Sequence, residues 1–199
     1  MTAVRVAVLA SGGGTNLQAL LDALTNSPLA RVARVVTNRP NAGAVERAHQ
    51  SGIPTTVLRD PDDAAELLAA LDESPSVDLV VLAGYLKLVP PVAVARFRWR
   101  MINIHPALLP AHGGPGMYGR RVHEAVLASG AAESGATVHY VDEQYDRGPI
   151  IAQARVPVLP GDTAETLAAR VLEAEHRLLP RVVLELARRG IPNEPVRLS

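Results

Sequence analysis

The sequence predicts an α/β fold: a mostly parallel, twisted sheet with helices on both faces and an antiparallel part towards the C-terminal half. Three observations carry this. Short β-rich runs alternate with helical patterns along most of the chain. Residues 79–83 are continuously apolar, as in a strand buried on both faces. Two further strand-like runs, 137–141 and 150–156, are separated only by an acidic loop, which fits an antiparallel pair.

The elements follow in order. Val4–Leu9 is a β-rich run that stops at Ser11-Gly12-Gly13-Gly14-Thr15-Asn16. Leu17, Leu20, Leu21 and Leu24 then fall on one helical face. Residues 32–37 read as a second strand, 44–50 as a helix stopped by Gly52, and 55–58 as a third strand. Asp60-Pro61-Asp62-Asp63 offers a helix start, with Asp60 as the cap, Pro61 in the first position and acids at the positive dipole end; this helix runs to about Leu71. Residues 90–98 fit a short helix, and Met101–His105 a strand ended by Pro106. The Pro- and Gly-rich stretch 107–119 is a loop, 121–128 a helix, and 162–189 a long amphipathic helix with Pro180 as a kink point. The tail 193–199 is expected to be loose.

The chain has 199 residues, of which 48% are hydrophobic, enough for one well-filled core. A single domain over 1–199 is expected. Twenty basic residues balance twenty acidic ones, which argues against a non-specific nucleic-acid binder. There is no cysteine, so disulfides, thiolate metal sites and a Cys nucleophile are excluded. No apolar run reaches the length of a membrane span, and the N-terminus does not read as a signal peptide. The expectation is a cytoplasmic monomer or homodimer acting on small molecules, with no membrane, nucleic-acid or metal partner.

The glycine stretch lies between the first strand and the first helix. Small residues there let a ligand approach the backbone, and a helix N-terminus offers free N–H groups and a positive dipole end to an anion. The dinucleotide fingerprint fails because Leu17 stands where its third glycine belongs. The phosphate-loop pattern fails because no Gly-Lys-Ser/Thr follows. Glycine, hydroxyl and Asn at a helix start favour a phosphate monoester; the alternative is a tight β–α turn without a ligand.

Asn103 and His105 lie two apart at the end of a core strand, so they project the same way. An Asn amide can donate to a developing oxyanion, and a His can act as acid or base. Asp146, followed by Arg147-Gly148-Pro149, could fold back to orient the imidazole and raise its pKa; the alternative is that both residues are structural. There is no Gly-x-Ser-x-Gly elbow and no His-Glu-x-x-His helix, and the six histidines (49, 105, 112, 123, 139, 176) are scattered.

The chain resembles the folate-dependent phosphoribosylglycinamide formyltransferases of purine synthesis. The motifs that carry the resemblance occur in family order over nearly the whole chain. They are Val-Leu-Ala-Ser-Gly-Gly-Gly-Thr-Asn-Leu-Gln at 8–18, Val-Val-Leu-Ala-Gly-Tyr-Leu-Lys at 80–87 and Asn-Ile-His-Pro-Ala-Leu-Leu-Pro at 103–110. Gly-Ala-Thr-Val-His-Tyr-Val at 135–141 and Asp-Arg-Gly-Pro-Ile-Ile at 146–151 complete the set. The resemblance implies a Rossmann-like formyltransferase fold, 10-formyltetrahydrofolate as cosubstrate and glycinamide ribonucleotide as acceptor. It implies that Gly14, Thr15 and Asn16 hold the substrate phosphate and that Glu175 contacts the ribose and amine side. It further implies that Leu86, Lys87, Leu88 and Val89 line the folate site and that the pterin enters the loop Asp142, Glu143, Gln144, Tyr145, Asp146. Asn103, His105 and Asp146 match the catalytic trio, Asn103 and Asp146 also touching folate. His123 and His139 lie in matching positions, with no step assigned to either.

Some positions depart from the family pattern. Lys87 stands where many members carry Arg, losing the planar fork. The stretch 59–77 looks short, leaving Arg59 as a weak candidate for a folate-glutamate contact. Leu172 replaces a polar residue of some relatives. The glycine-rich 111–119 loop is expected to be mobile over the site; an ordinary flexible loop is the alternative. The rivals are methionyl-tRNA formyltransferase, which needs a second, basic domain, and a formyl-folate hydrolase, which usually carries a regulatory domain. A sugar-nucleotide formyltransferase would lack the Ser-Gly-Gly-Gly-Thr-Asn loop, and a non-catalytic nucleotide-binding module has no need of the trio.

Overall fold

Seven strands and six helices make up the described part of the computed structural model, residues 2–73 and 76–198. The strands are β1 (Val4–Leu9), β2 (Ala30–Thr37), β3 (Thr55–Val57), β4 (Leu79–Leu82), β5 (Met101–His105), β6 (Glu133–Tyr140) and β7 (Ile150–Pro157). The helices are α1 (Thr15–Leu24), α2 (Gly43–Gln50), α3 (Ala64–Asp72), α4 (Pro91–Arg96), α5 (Arg120–Ala128) and α6 (Ala164–Arg189). The strands form one sheet in the order β3-β2-β1-β4-β5-β6-β7. The first five in that order run parallel, β6 is antiparallel to β5, and β7 is antiparallel to β6. The expected mixed α/β sheet is thus the one observed.

Alternation along β1 divides the core into two layers. Val6 and Val8 face α1, α2 and α6, meeting Leu17, Ala44 and Val182. Ala7 and Leu9 face α3 and α4, meeting Leu67, Leu71 and Phe97. Each large aliphatic side chain fully buried this way contributes about 1.5–3 kcal/mol. A smaller layer joins α5 to α6 through Val126, Leu167, Val171 and Ala174.

Several sequence expectations are corrected. The cap of α3 is Asp63, whose carboxylate accepts from Ala65 and Glu66 N–H, and Asp60-Pro61 is a preceding turn. Glu66 reaches back to accept from the Arg59 and Asp60 backbone N–H, which holds that turn outside the helix. α6 begins at Ala164 rather than 162, because Thr163 and Thr166 form a reciprocal capping box and Asp162 is spent on Leu159 N–H and Arg170. The helix continues through the buried Pro180. β6 starts four residues early, since Glu133 to Ala136 pair with β7.

The tail is not loose. Leu198 N–H donates to Ile151 O at 2.7 Å, and Val196 and Leu198 pack on the core. No helix among the described residues is long and apolar enough to cross a membrane.

Parallel strands bring their carboxyl ends to one edge. The chain leaves β1 towards β2 and β3 on one side, and β4 towards β5 on the other. A crevice opens where those directions part, the usual place for a ligand in such sheets.

Candidate active site

A cavity of about 730 Å³ lies over the carboxyl ends of β4 and β5. Asn103 and His105 rise from β5 into it, as their spacing requires. Asp146 comes from the loop between β6 and β7. Its backbone is left-handed, with φ 57°, a conformation that Asp tolerates better than most residues. Its Oδ2 lies 3.5 Å from His105 Nδ1 and accepts from Gly114 N–H at 2.9 Å. Its Oδ1 lies 3.4 Å from Asn103 Nδ2. The three residues expected together are together.

His139 completes the cluster. It sits directly across from Asn103 in the β5–β6 register. Its Nδ1 donates to Tyr140 O at 2.8 Å, and its Nε2 lies 3.0 Å from Asn103 Nδ2 and 3.5 Å from Asp146 Oδ1. The Asn side chain is thereby held between His139 and Asp146. The 111–119 loop lies on the centre: His105 Nε2 donates to His112 O at 2.9 Å, and Gly114 holds Asp146.

One electrostatic expectation holds only in part: Asp146 does raise the His105 pKa, but burial outweighs it. Burial holds the His105 imidazole below its ordinary pKa, and the neighbouring Asp146 charge only partly offsets this. His139 and His112 add to the lowering. Burial pushes the Asp146 carboxyl up, but its contacts with His139, His105 and Gly114 N–H keep it below the usual range. The resting centre is therefore a carboxylate facing a neutral ring.

One wing of the cavity reaches Asn16 and Glu175. Asn16 Nδ2 donates to Glu175 Oε2 at 3.0 Å. Burial pushes that carboxyl up to about 7. Gly14 and Thr15 lie just beyond the lining. Gly14 has φ 74°, and a Cβ there would lie 2.7 Å from Ala44 Cα, so this glycine is dictated by packing. Gly12 and Gly13 are different: a Cβ on either would meet no protein atom. Their bareness faces open space. Arg47 braces the turn, its Nε donating to Gly13 O at 2.8 Å.

The other wing is lined by Leu86, Lys87, Leu88, Val89, Asp142, Gln144, Tyr145 and Asp146. Glu143 is exposed and outside the lining, because the turn made by Gln144 N–H on Asp142 Oδ1 cannot aim every residue inward. Ser11 ties the wings together, its hydroxyl accepting from Leu86 N–H and donating to Asn38 Oδ1. Arg59 is outside the cavity lining and is paired with Glu66. Of the short stretch 59–77, residues 74 and 75 lie outside the described residues. Tyr85 and His123, both buried in the lining, carry an unpartnered Oη and Nδ1, and burial pushes the Tyr85 hydroxyl up to about 12. Among the described residues no group of three or more His, Asp or Glu side chains is placed to hold a metal ion.

Residues 4–183 match the model of the family described as formyl transferase. The chain belongs to the formyl transferase family. It is 46% identical over 193 residues to the chloroplastic phosphoribosylglycinamide formyltransferase of Vigna unguiculata, covering 94% of this chain and 62% of the relative. It is 39% identical over 187 residues to the phosphoribosylglycinamide formyltransferase of Escherichia coli, covering 90% of this chain and 85% of that one. The crystal structure of glycinamide ribonucleotide transformylase 1 from Symbiobacterium toebii superimposes with a TM-score of 0.87 at 40% identity, covering 98% of this chain and 93% of that one. This formyl transferase spans about three-fifths of the length of the plant relatives it matches.

Neither His139 nor His123 was given a role from the sequence. His139 becomes visible only with the β5–β6 register, and His123 only once α5 is docked.

Proposed function

We propose that the chain transfers the formyl group of 10-formyltetrahydrofolate to the amine of N1-(5-phospho-D-ribosyl)glycinamide, yielding the N2-formyl product and tetrahydrofolate in purine synthesis. The observation that carries this reading is the meeting of Asn103, His105 and Asp146 between two wings of different chemistry. Beside the Asn16 and Glu175 wing, outside its lining, is a bare glycine turn at a helix N-terminus, suited to a phosphate. There the backbone of Gly14, Thr15 and Asn16 holds the phosphate, and Glu175 meets the ribose hydroxyls. The other wing is apolar along Leu86, Leu88 and Val89, suited to a flat ring system, with the 142–146 loop taking the pterin. Lys87 provides a cation for the carboxylates of the folate.

The chemistry follows from the charge state of the centre. The acceptor's ammonium gives one proton to the neutral His105, whose new charge Asp146 stabilises. The freed amine attacks the formyl carbon, and negative charge builds on the formyl oxygen. Asn103 and His105 donate to it, with the 111–119 loop withdrawing His112 O from the ring. The second amine proton passes through Asp146 to the folate N10 as the carbon–nitrogen bond breaks. One proton is released overall.

The test is tetrahydrofolate release with and without the ribotide, for wild type and His105→Ala. The reading expects acceptor-dependent release, reduced about 100- to 1,000-fold in the variant. Release without acceptor would make water the acceptor and the protein a hydrolase.

A further inference from the structure

His123 is a buried imidazole that the chemistry above does not use. It is 5% exposed, lines the cavity, and its Nδ1 has no partner. It shares the buried face of α5 with Val122 and Val126, and Val126 packs on Leu167, Val171 and Ala174 of α6. That same helix sends Leu172 and Glu175 into the cavity. Burial holds the His123 ring below its ordinary pKa, and at the other side it stands close enough to His105 to be lowered further by that ring's charge once His105 is protonated. His123 therefore faces the stretch of cavity joining His105 to Glu175.

Resting on the proposed acceptor, the occupant of that stretch is determined by elimination. The ribose is at Glu175 and the amine at His105, so the carboxamide that joins them lies between. The ring has one form that suits it. A proton on Nδ1 would find no acceptor, and a second proton would add charge beside His105. The stable form is neutral with its proton on Nε2, a single N–H donor. A carboxamide oxygen is an acceptor of matching chemistry.

We propose that His123 is a specificity-determining residue that donates from Nε2 to the carboxamide oxygen of the acceptor, so that the site distinguishes a glycinamide ribotide from a bare ribose phosphate. It acts on the acceptor and takes no part in moving protons.

The test compares wild type, His123→Ala and His123→Gln by calorimetry with the ribotide and with ribose 5-phosphate, and by steady-state kinetics. His123→Ala is expected to weaken ribotide binding and raise its KM roughly 5- to 100-fold, the usual range for a donor lost opposite a buried acceptor. Its Kd for ribose 5-phosphate stays within about twofold of wild type, and its KM for the folate is unchanged. His123→Gln, which keeps an N–H donor, recovers most of the loss. A parallel loss of ribose 5-phosphate affinity would mean that the ring merely holds α5 on α6 and would overturn the inference. Unchanged ribotide binding in His123→Ala, or a folded His123→Gln as weak as His123→Ala, would overturn it too. Failure of wild type to bind the ribotide at all would overturn the acceptor assignment itself.

Discussion

Gly148→Ala tests whether the catalytic centre depends on how tightly the β6–β7 loop folds back. Gly148 lies two residues after Asp146, against the last residue of β6. A Cβ at this position would lie 2.8 Å from Tyr140 C and nearer still to its carbonyl oxygen. Ordinary carbon–carbon contact is about 3.5–4.0 Å and carbon–oxygen contact about 3.3 Å, so the loop or the strand end must retreat by well over 1 Å. Both carry the centre. The same Tyr140 oxygen accepts from His139 Nδ1, which fixes the ring that locks Asn103. Overpacking of this kind costs about 1–3 kcal/mol, or a fall in Tm of roughly 2–12 °C in a domain of this size. The displacement of Asp146 costs about 100-fold in kcat, since reacting groups misplaced by 1 Å lose about that much. Circular dichroism melts beside kcat measurements separate the two effects. A variant with wild-type kcat and unchanged Tm would refute the claim that this approach positions Asp146.

Three further predictions concern stability and charge. Burial raises the Glu175 pKa from 4.5 to about 7, so the fold binds that proton more tightly than the unfolded chain and loses stability as pH rises across that interval, by roughly 3 kcal/mol in all. Glu175→Gln should therefore melt higher than wild type at pH 8, match it at pH 4.5, and raise the KM for the ribotide; equal melting at both pH values would contradict the account. Arg34→Ala removes a fully buried guanidinium that donates to Ala70 O and Glu73 O at the end of α3, and should lower unfolding free energy by about 2–4 kcal/mol in urea with KM values unchanged. Deleting residues 195–199 removes the Leu198 bond to Ile151 and the packing of Val196 and Leu198, and should cost about 1–3 kcal/mol without altering kcat.

Much of the fold was legible because local signals and tertiary pairing agree. β1 and β5 run end to end as read, since apolar β-formers stop at a serine–glycine turn and at Pro106. Asp60 reads as the cap of α3 because Pro61 follows it, whereas Glu66 ties up the Arg59 and Asp60 N–H groups in a turn and Asp63 caps the helix. The first half of β6, Glu-Ser-Gly-Ala, has poor strand propensity and is held by pairing with β7. The tail looked loose because its backbone bonds, Leu198 N–H to Ile151 O and Val196 N–H to the Tyr140 hydroxyl, reach residues 47 and 56 away in sequence and leave no periodic trace. In the site, the shared direction of Asn103 and His105 follows from strand geometry alone. Asp146 could be offered from the sequence only with a structural alternative beside it, since a loop carboxylate has no periodicity that points at a distant His, and the family motif singled it out. The balance at His105 was not legible, because the cost of burying its ring is set by the tertiary fold around it and outweighs the Asp146 charge.

The most direct test of the central claim follows the carbon itself. With 10-formyltetrahydrofolate carrying ¹³C in the formyl group, the label is traced by NMR in the presence of the ribotide, for wild type and Asn103→Ala. The account predicts that the label arrives on the ribotide nitrogen as a formamide, one per folate consumed, and that the variant slows its arrival about 100-fold or more. Label appearing as formate in water, or arriving at the wild-type rate in the variant, would contradict it.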